Sequence, residues 1–269
     1  MISDQLRDKR KSVETILRGL KRVIVAYSGG VDSTVLAKLA RDVLGKTNAP
    51  AVTADSPSLA REDLAEAGRL AQALDLQHVV IQTHEVEQSA YQANTADRCY
   101  LCKRTLFEAL EVLAAAWKIP VVVYGAIGDD RLEERPGQRA AAQRHVRAPL
   151  QEAGLAKSEV RTLAHQLELP NWDKPQNACL SSRIPQGLEV TVEKLQQIER
   201  AESFLRAQGF QQVRVRHLGT RARIEVERDS VPRFEDPRLK REVEHALRTI
   251  GFESVVVDPH GYRPGGANH

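Results

Sequence analysis

The chain has 269 residues, enough for one large or two modest domains, each with its own core. Its 39 basic and 36 acidic side chains leave a net charge of +3, too even a balance to point to nucleic acid, and at 4% its aromatic residues are too scarce for a base-stacking surface. No run approaches the ~20 apolar residues that cross a membrane, and the charged N-terminus (Asp4, Arg7, Asp8, Lys9, Arg10, Lys11) lacks the apolar core of a signal peptide, so a cytoplasmic protein with no membrane partner is expected.

Residues 2 to 20 set Ile2, Leu6, Val13, Ile16, Leu17 and Leu20 among charges, the pattern of an amphipathic helix. Next comes the β-branched run Val23-Ile24-Val25-Ala26, then Tyr27-Ser28-Gly29-Gly30-Val31-Asp32-Ser33-Thr34, then Val35-Leu36-Ala37-Lys38-Leu39-Ala40 at helical spacing. The order predicts strand, tight loop and helix N-terminus. Gly29 and Gly30 let the backbone bend towards an anion, to which the Ser28, Ser33 and Thr34 hydroxyls and the first-turn N–H groups donate. No lysine follows the glycines as in the mononucleotide phosphate loop, and the dinucleotide glycine spacing is absent. The string Ser28 to Ser33 resembles the pyrophosphate-binding loop of the ATP pyrophosphatases, which implies cleavage of ATP between its α and β phosphates and an adenylated intermediate.

A second strand is predicted over residues 49–56, a helix over 58–75 and a third strand at Val79-Val80-Ile81. Asp55 and Ser56 end the second strand, where the pyrophosphatases border adenosine; an N-cap for the next helix is the other reading. Arg98-Cys99-Tyr100-Leu101-Cys102-Lys103 opens a helix with the stripe Leu106, Phe107, Leu110, Leu113 and Trp117, and Val121 to Gly125 is the fourth strand. Strands alternating with helices predict right-handed parallel βαβ units with ligands at the strands' carboxyl ends, where Ser28 to Ser33, Asp55 and Asp129-Asp130 fall. Residues 131–156 read as a long loop with short helical pieces, and 157–169 as a helix. The Pro-rich stretch 170–187 reads as a functional loop. Beyond Val190 the order helix-strand-strand-helix-strand suits a small α+β domain with an antiparallel hairpin. The expected fold class is α/β, a parallel-sheet PP-loop ATP pyrophosphatase domain (1–187) followed by a small α+β domain (188–269) for substrate binding and oligomerisation.

Three cysteines cannot pair completely, and a cytosolic chain of this size needs no disulfide. Cys99 and Cys102 stand one helical turn apart, and a helix N-terminus flanked by Arg98, Lys103 and Arg104 favours their ionisation. Cys179 lies in the functional loop. The CxxC spacing serves redox pairs and zinc sites alike, but zinc wants a fourth ligand and no histidine stands close in sequence. Three thiolates can hold a [4Fe–4S] cubane with one iron open to an exogenous ligand such as sulfide. Three separately packed cysteines are the third possibility.

Ser28 to Ser33, Arg98 to Lys103, Arg135-Pro136-Gly137 and Ala178-Cys179-Leu180-Ser181-Ser182-Arg183 together resemble the LarE family of ATP-dependent sulfur transferases, in its three-cysteine branch. The likeness covers nearly the whole chain, including Arg214-Val215-Arg216 and Arg223-Ile224-Glu225. It implies that ATP with Mg²⁺, the ion held by Asp32, adenylates a carboxylate of pyridinium-3,5-biscarboxylic acid mononucleotide, which then becomes a thiocarboxylate in nickel-pincer nucleotide synthesis. In single-cysteine members the residue matching Cys179 gives up its own sulfur and becomes dehydroalanine. The three-cysteine branch implies instead a [4Fe–4S] cluster on Cys99, Cys102 and Cys179 that carries sulfide from a donor. Arg183, Arg214 and Arg216 are then candidates for the substrate's phosphate, and Glu202 and Glu225 for a metal; a solvated sheet face and ordinary surface positions are the alternatives. Two departures stand out: no asparagine precedes Asp129-Asp130, and Gln143 replaces a glutamate common in the family. A homo-oligomer without nucleic acid is expected; a tRNA-thiolating enzyme and a non-catalytic iron–sulfur or zinc protein are the rival readings.

Overall fold

The computed structural model describes residues 4–129, 136–175 and 177–263. In chain order it contains α1 (Asp4–Leu20), β1 (Val23–Ala26), α2 (Val31–Leu44), β2 (Ala51–Asp55), α3 (Arg61–Ala73), β3 (His78–Gln82), α4 (Ser89–Gln92), α5 (Arg98–Trp117) and β4 (Val121–Tyr124). There follow α6 (Pro136–Gln143), α7 (Pro149–Glu152), α8 (Lys157–Gln166), α9 (Val192–Ala207), β5 (Val213–Leu218), β6 (Arg221–Val226), α10 (Pro237–Ile250) and β7 (Ser254–Val257). Two compact units result: Met1–Ser56, Arg61–Glu85 and Cys99–Asn177 in the first, Pro57–Ala60, Val86–Arg98 and Ala178–His269 in the second.

The first unit holds a four-stranded sheet in the order β3-β2-β1-β4, every pair parallel, with Val25 opposite Ala51 and Val123. Successive strand residues face opposite sides, and β1 shows it. Val23 and Val25 join one apolar cluster with Leu17, Leu36 and Leu163, whereas Ile24 joins another with Phe107, Leu110 and Val122. Helices therefore cover both faces, which is why these strands are nearly continuous apolar runs.

In the second unit β5 and β6 form the expected antiparallel hairpin about Gly219, whose φ of +75° suits glycine, and β7 adds parallel to β6. Leu205, Phe210, Val215, Ile224, Val243 and Leu247 form its core. Thr191 caps α9 by accepting from Lys194 N at 3.3 Å, and Asp236 caps α10 by accepting from Arg238 N at 2.8 Å, with Pro237 in the first turn. Among the described residues no helix is long and apolar enough to cross a membrane.

Candidate functional site

β1 delivers the chain into a tight turn that opens α2. Gly29 has φ +70°, and a Cβ there would come within 2.9 Å of the Ala67 Cβ on α3. Behind the helix start lies Gly125, where a Cβ would sit 2.8 Å from Ser33 N. Two glycines thus let three backbone segments crowd around one turn. Ser28 and Ser33 hydroxyls lie 3.1 Å apart, Gly30 N donates to Ser28 Oγ at 3.4 Å, and no side chain caps α2. The first turn of α2 thus has no side-chain cap, which is the arrangement that a helix N-terminus taking an anion needs. The hydroxyls are arranged differently from the expectation: Ser33 Oγ and Thr34 Oγ1 donate to the Gly30 carbonyl at 3.0 and 2.9 Å, so they brace the turn from inside. Tyr27, buried beneath the turn, has its hydroxyl pKa pushed up to about 12 mainly by burial, and so stays neutral.

Asp32 is half-buried and receives Lys157 Nζ on both carboxylate oxygens at 2.7 Å. Lys157 opens α8, where a cation opposes the helix dipole unless it has a tertiary partner. Asp129 accepts from the Lys157 backbone N–H at 2.7 Å, while Asp130 lies outside the described residues. Asp55 ends β2 as expected, bound by Arg61 at 2.5 Å and Gln82 at 2.9 Å. Since α3 begins only at Arg61, neither Asp55 nor Ser56 is its N-cap.

Cys99 and Cys102 occupy the first turns of α5, Cys99 exposed and Cys102 half-buried. Of the Arg135-Pro136-Gly137 motif, Arg135 lies outside the described residues, and Gly137 packs α6 onto this turn, 2.9 Å from Lys103 Cγ and 3.7 Å from Cys99 O measured at a would-be Cβ. Tyr100 is held between Arg139, 4.5 Å above its ring, and Gln143, which accepts from its hydroxyl at 2.7 Å. The glutamine at 143 thus has a definite partner.

In the second unit Cys179 is exposed and precedes a short 3-10 turn, Leu180–Arg183. Arg183 is only 1% exposed. It donates to Ala178 O at 2.5 Å, to Cys179 O and Ser182 Oγ at 3.0 Å, and to the two Glu202 oxygens at 2.9 and 3.3 Å. Glu202 also accepts from Arg206 at 3.1 Å and Val215 N at 3.1 Å. Arg216 pairs with Glu225 at 2.8 and 3.0 Å and donates to Ser182 O at 3.0 Å. Arg214, Arg216, Glu202 and Glu225 are all buried, which overturns the solvated-face and surface alternatives. As placed, Arg183, Arg216, Glu202 and Glu225 frame the Cys179 loop. Arg214 stacks on Tyr262 at 5.3 Å, and its pKa is lowered by burial first and then by Arg183. The same loop is gripped by Tyr91, whose hydroxyl lies 2.8 Å from Ser181 Oγ, and by Asn94, which donates to Pro185 O and Leu188 O at 2.7 Å. Arg98 donates to Ser181 O at 2.9 Å and to Asn94 Oδ1. Sequence reasoning passed over Tyr91 and Asn94, which carry no motif signal.

None of the three cysteines is in a disulfide. Among the described residues no three His, Cys, Asp or Glu side chains already gather as a metal-ligating group.

Comparison with known proteins gives a family description and several full-length relatives. The NAD synthase family matches residues 4–109, from α1 into α5. An uncharacterized protein of Synechocystis sp. is 44% identical over 263 residues, 98% of this chain and 98% of its own. The pyridinium-3,5-bisthiocarboxylic acid mononucleotide synthase of Lactiplantibacillus plantarum is 36% identical over 265 residues, 98% of this chain and 95% of that protein. An uncharacterized protein of Methanocaldococcus jannaschii is 30% identical over 243 residues, 90% of this chain and 91% of its own.

Proposed function

Because the chain belongs to the LarE family of PP-loop ATP pyrophosphatases, we propose that it adenylates the carboxylates of pyridinium-3,5-biscarboxylic acid mononucleotide and converts them to thiocarboxylates, towards the nickel-pincer nucleotide. The observation that carries this reading is the preformed, uncapped loop at α2 in a chain similar from end to end to the named synthase. The proposal assigns adenylation to residues 1–187, and substrate binding and assembly of a cytoplasmic homo-oligomer to 188–269.

In the first half-reaction a substrate carboxylate oxygen attacks the α-phosphorus and the bond to the β-phosphate breaks. The pyrophosphate leaves with its electron pair onto the Gly29–Gly30 backbone and the first-turn N–H groups of α2. Asp32 is the carboxylate that would hold Mg²⁺, which neutralises phosphate oxygens. Lys157 now takes both Asp32 oxygens and is the cation to be released towards phosphate when they are needed. In the second half-reaction a sulfur nucleophile attacks the acyl carbon, the C–O bond breaks, and AMP leaves. Arg214 is the guanidinium that a substrate phosphate would relieve, because burial and Arg183 weigh against its charge.

Cys99, Cys102 and Cys179 would hold a [4Fe–4S] cluster, and three thiols outside any disulfide are a donor set that fits it. When bound, the cluster supplies iron-held sulfide as the sulfur source. The exposure of Cys179 supports a second reading. In it the Cys179 thiolate forms a thioester, loss of the α-proton breaks its Cβ–S bond, and the thiocarboxylate departs, leaving dehydroalanine.

Anaerobic incubation of the iron-loaded protein with ATP, Mg²⁺, sulfide and the dicarboxylate should give AMP, pyrophosphate and thiocarboxylate in equal amounts over repeated turnovers. A single turnover, with dehydroalanine at position 179 in the mass spectrum, selects the sacrificial reading. No pyrophosphate release overturns both.

A further inference from the structure

Asn171 lies in the segment after α8 and is 4% exposed. Its Nδ2 donates to the Gly29 carbonyl oxygen at 2.9 Å and to Thr34 Oγ1 at 3.1 Å. A peptide is planar and trans, so holding the Gly29 oxygen also aims the Gly30 N–H, on the opposite edge of the same plane. With φ +70° and no Cβ, Gly29 leaves that plane free to rotate unless something outside the loop holds it. The Gly30 N–H points to the Ser28 Oγ side at 3.4 Å, a contact long enough to leave the donor available to an anion. Thr34 Oγ1, the second partner of Asn171, donates to Gly30 O at 2.9 Å, so both carbonyls of the Gly-Gly pair are anchored from one point.

The anchor is itself tied down. Three residues on, Lys174 Nζ reaches Glu66 at 2.6 Å and Asp63 at 3.2 Å, and Asn177 donates to Asp63 at 2.7 Å. Burial pulls the Lys174 pKa down, but the Glu66 and Asp63 carboxylates outweigh it and hold the ammonium above its ordinary value. Both carboxylates lie on α3, the helix that sets Ala67 against Gly29.

The geometry points to Asn171 as a positioning residue for the pyrophosphate half of ATP. It orients the Gly29–Gly30 peptide before nucleotide arrives, from the side of the loop that faces the protein. Preorganised donors avoid the conformational cost that a free Gly-Gly turn meets on binding. The inference rests on the adenylation reading of the loop.

Calorimetric titration of the full chain with inorganic pyrophosphate, and separately with adenosine, tests it. In Asn171→Ala, pyrophosphate affinity should fall about tenfold while adenosine affinity stays within about twofold of wild type. Equal pyrophosphate affinities, or a parallel loss of adenosine binding, would overturn the inference. Asn171→Asp gives a second reading: its carboxylate cannot donate to Gly29 O, whereas the protonated acid can. The wild-type-to-variant ratio of pyrophosphate affinities should therefore narrow as pH falls, and a ratio independent of pH counts against the inference. Wild-type protein that binds adenosine but no pyrophosphate would instead overturn the adenylation reading, and the inference with it.

Discussion

Arg183 directs donors inward, to Glu202 and to the backbone and hydroxyl that surround Cys179. Such a buried pair adds little net stability over an apolar one, but removing one partner strands the other at about 3–5 kcal/mol. Its consequence is geometric: the carbonyls on either side of the Cys179 peptide are fixed while the thiol stays exposed. His217 is a buried group of another kind. At 3% exposure its ring lies 5.0 Å from that of Phe252, with Nε2 2.8 Å from Gln197 Oε1. Burial, and then the Lys194 charge, lowers its pKa from 6.5 to about 4. The folded state therefore binds this proton less readily than the unfolded chain. The stability contributed by the neutral ring is complete above about pH 6.5 and is lost as pH falls towards 4, about 3 kcal/mol in all. Urea unfolding across that window should show a steep acid limb that His217→Gln flattens; identical limbs would show that His217 does not titrate on unfolding.

At the scale of elements, α5 is the informative one. Its first turn presents Cys99 and Cys102, no acidic side chain stands there, and α6 approaches it closely through Gly137. Cys99→Ala removes an exposed side chain, so its effect on stability should stay within about 0.5 kcal/mol. Under the proposed cluster chemistry, bound iron and repeated turnover should nevertheless disappear, as measured by iron and sulfide analysis and product counting. Full activity after substitution of either Cys99 or Cys102 would remove them from the reaction. The same element explains Gln143: it holds the Tyr100 hydroxyl across the α5–α6 contact and needs no charge to do so.

For the whole molecule, the two units have separate apolar cores. Leu17, Leu36, Leu163 and Phe107 belong to clusters of the first, Leu205, Phe210 and Leu247 to that of the second. Leu205→Ala should cost about 2–5 kcal/mol by cavity formation. Hydrogen-exchange mass spectrometry should localise the loss of protection to β5–β7 and α9, leaving β1 and β4 as slow as in wild type. Uniform loss would mean that the units open as one. The α/β class, the parallel strands, the hairpin, the Gly-Gly turn that opens α2 and the placing of Cys99, Cys102 and Cys179 were legible in the sequence. Each depends on residues a few positions apart: a β-branched run, a Gly-Gly turn before helical spacing, a CxxC at a helix start. Which distant segments join which unit, as Val86–Arg98 joins the second, was not a local property. Nor was the partner of each polar group. Lys157 finds Asp32 across 125 residues and Asn171 finds Gly29 across 142, while burial turns Arg183 and Glu202 inward. Sequence by itself determined which chemical groups the chain carries and the local turns that present them. Only the tertiary structure decided which of those groups are neutralised inside, because desolvation and pairing depend on neighbours that folding alone supplies.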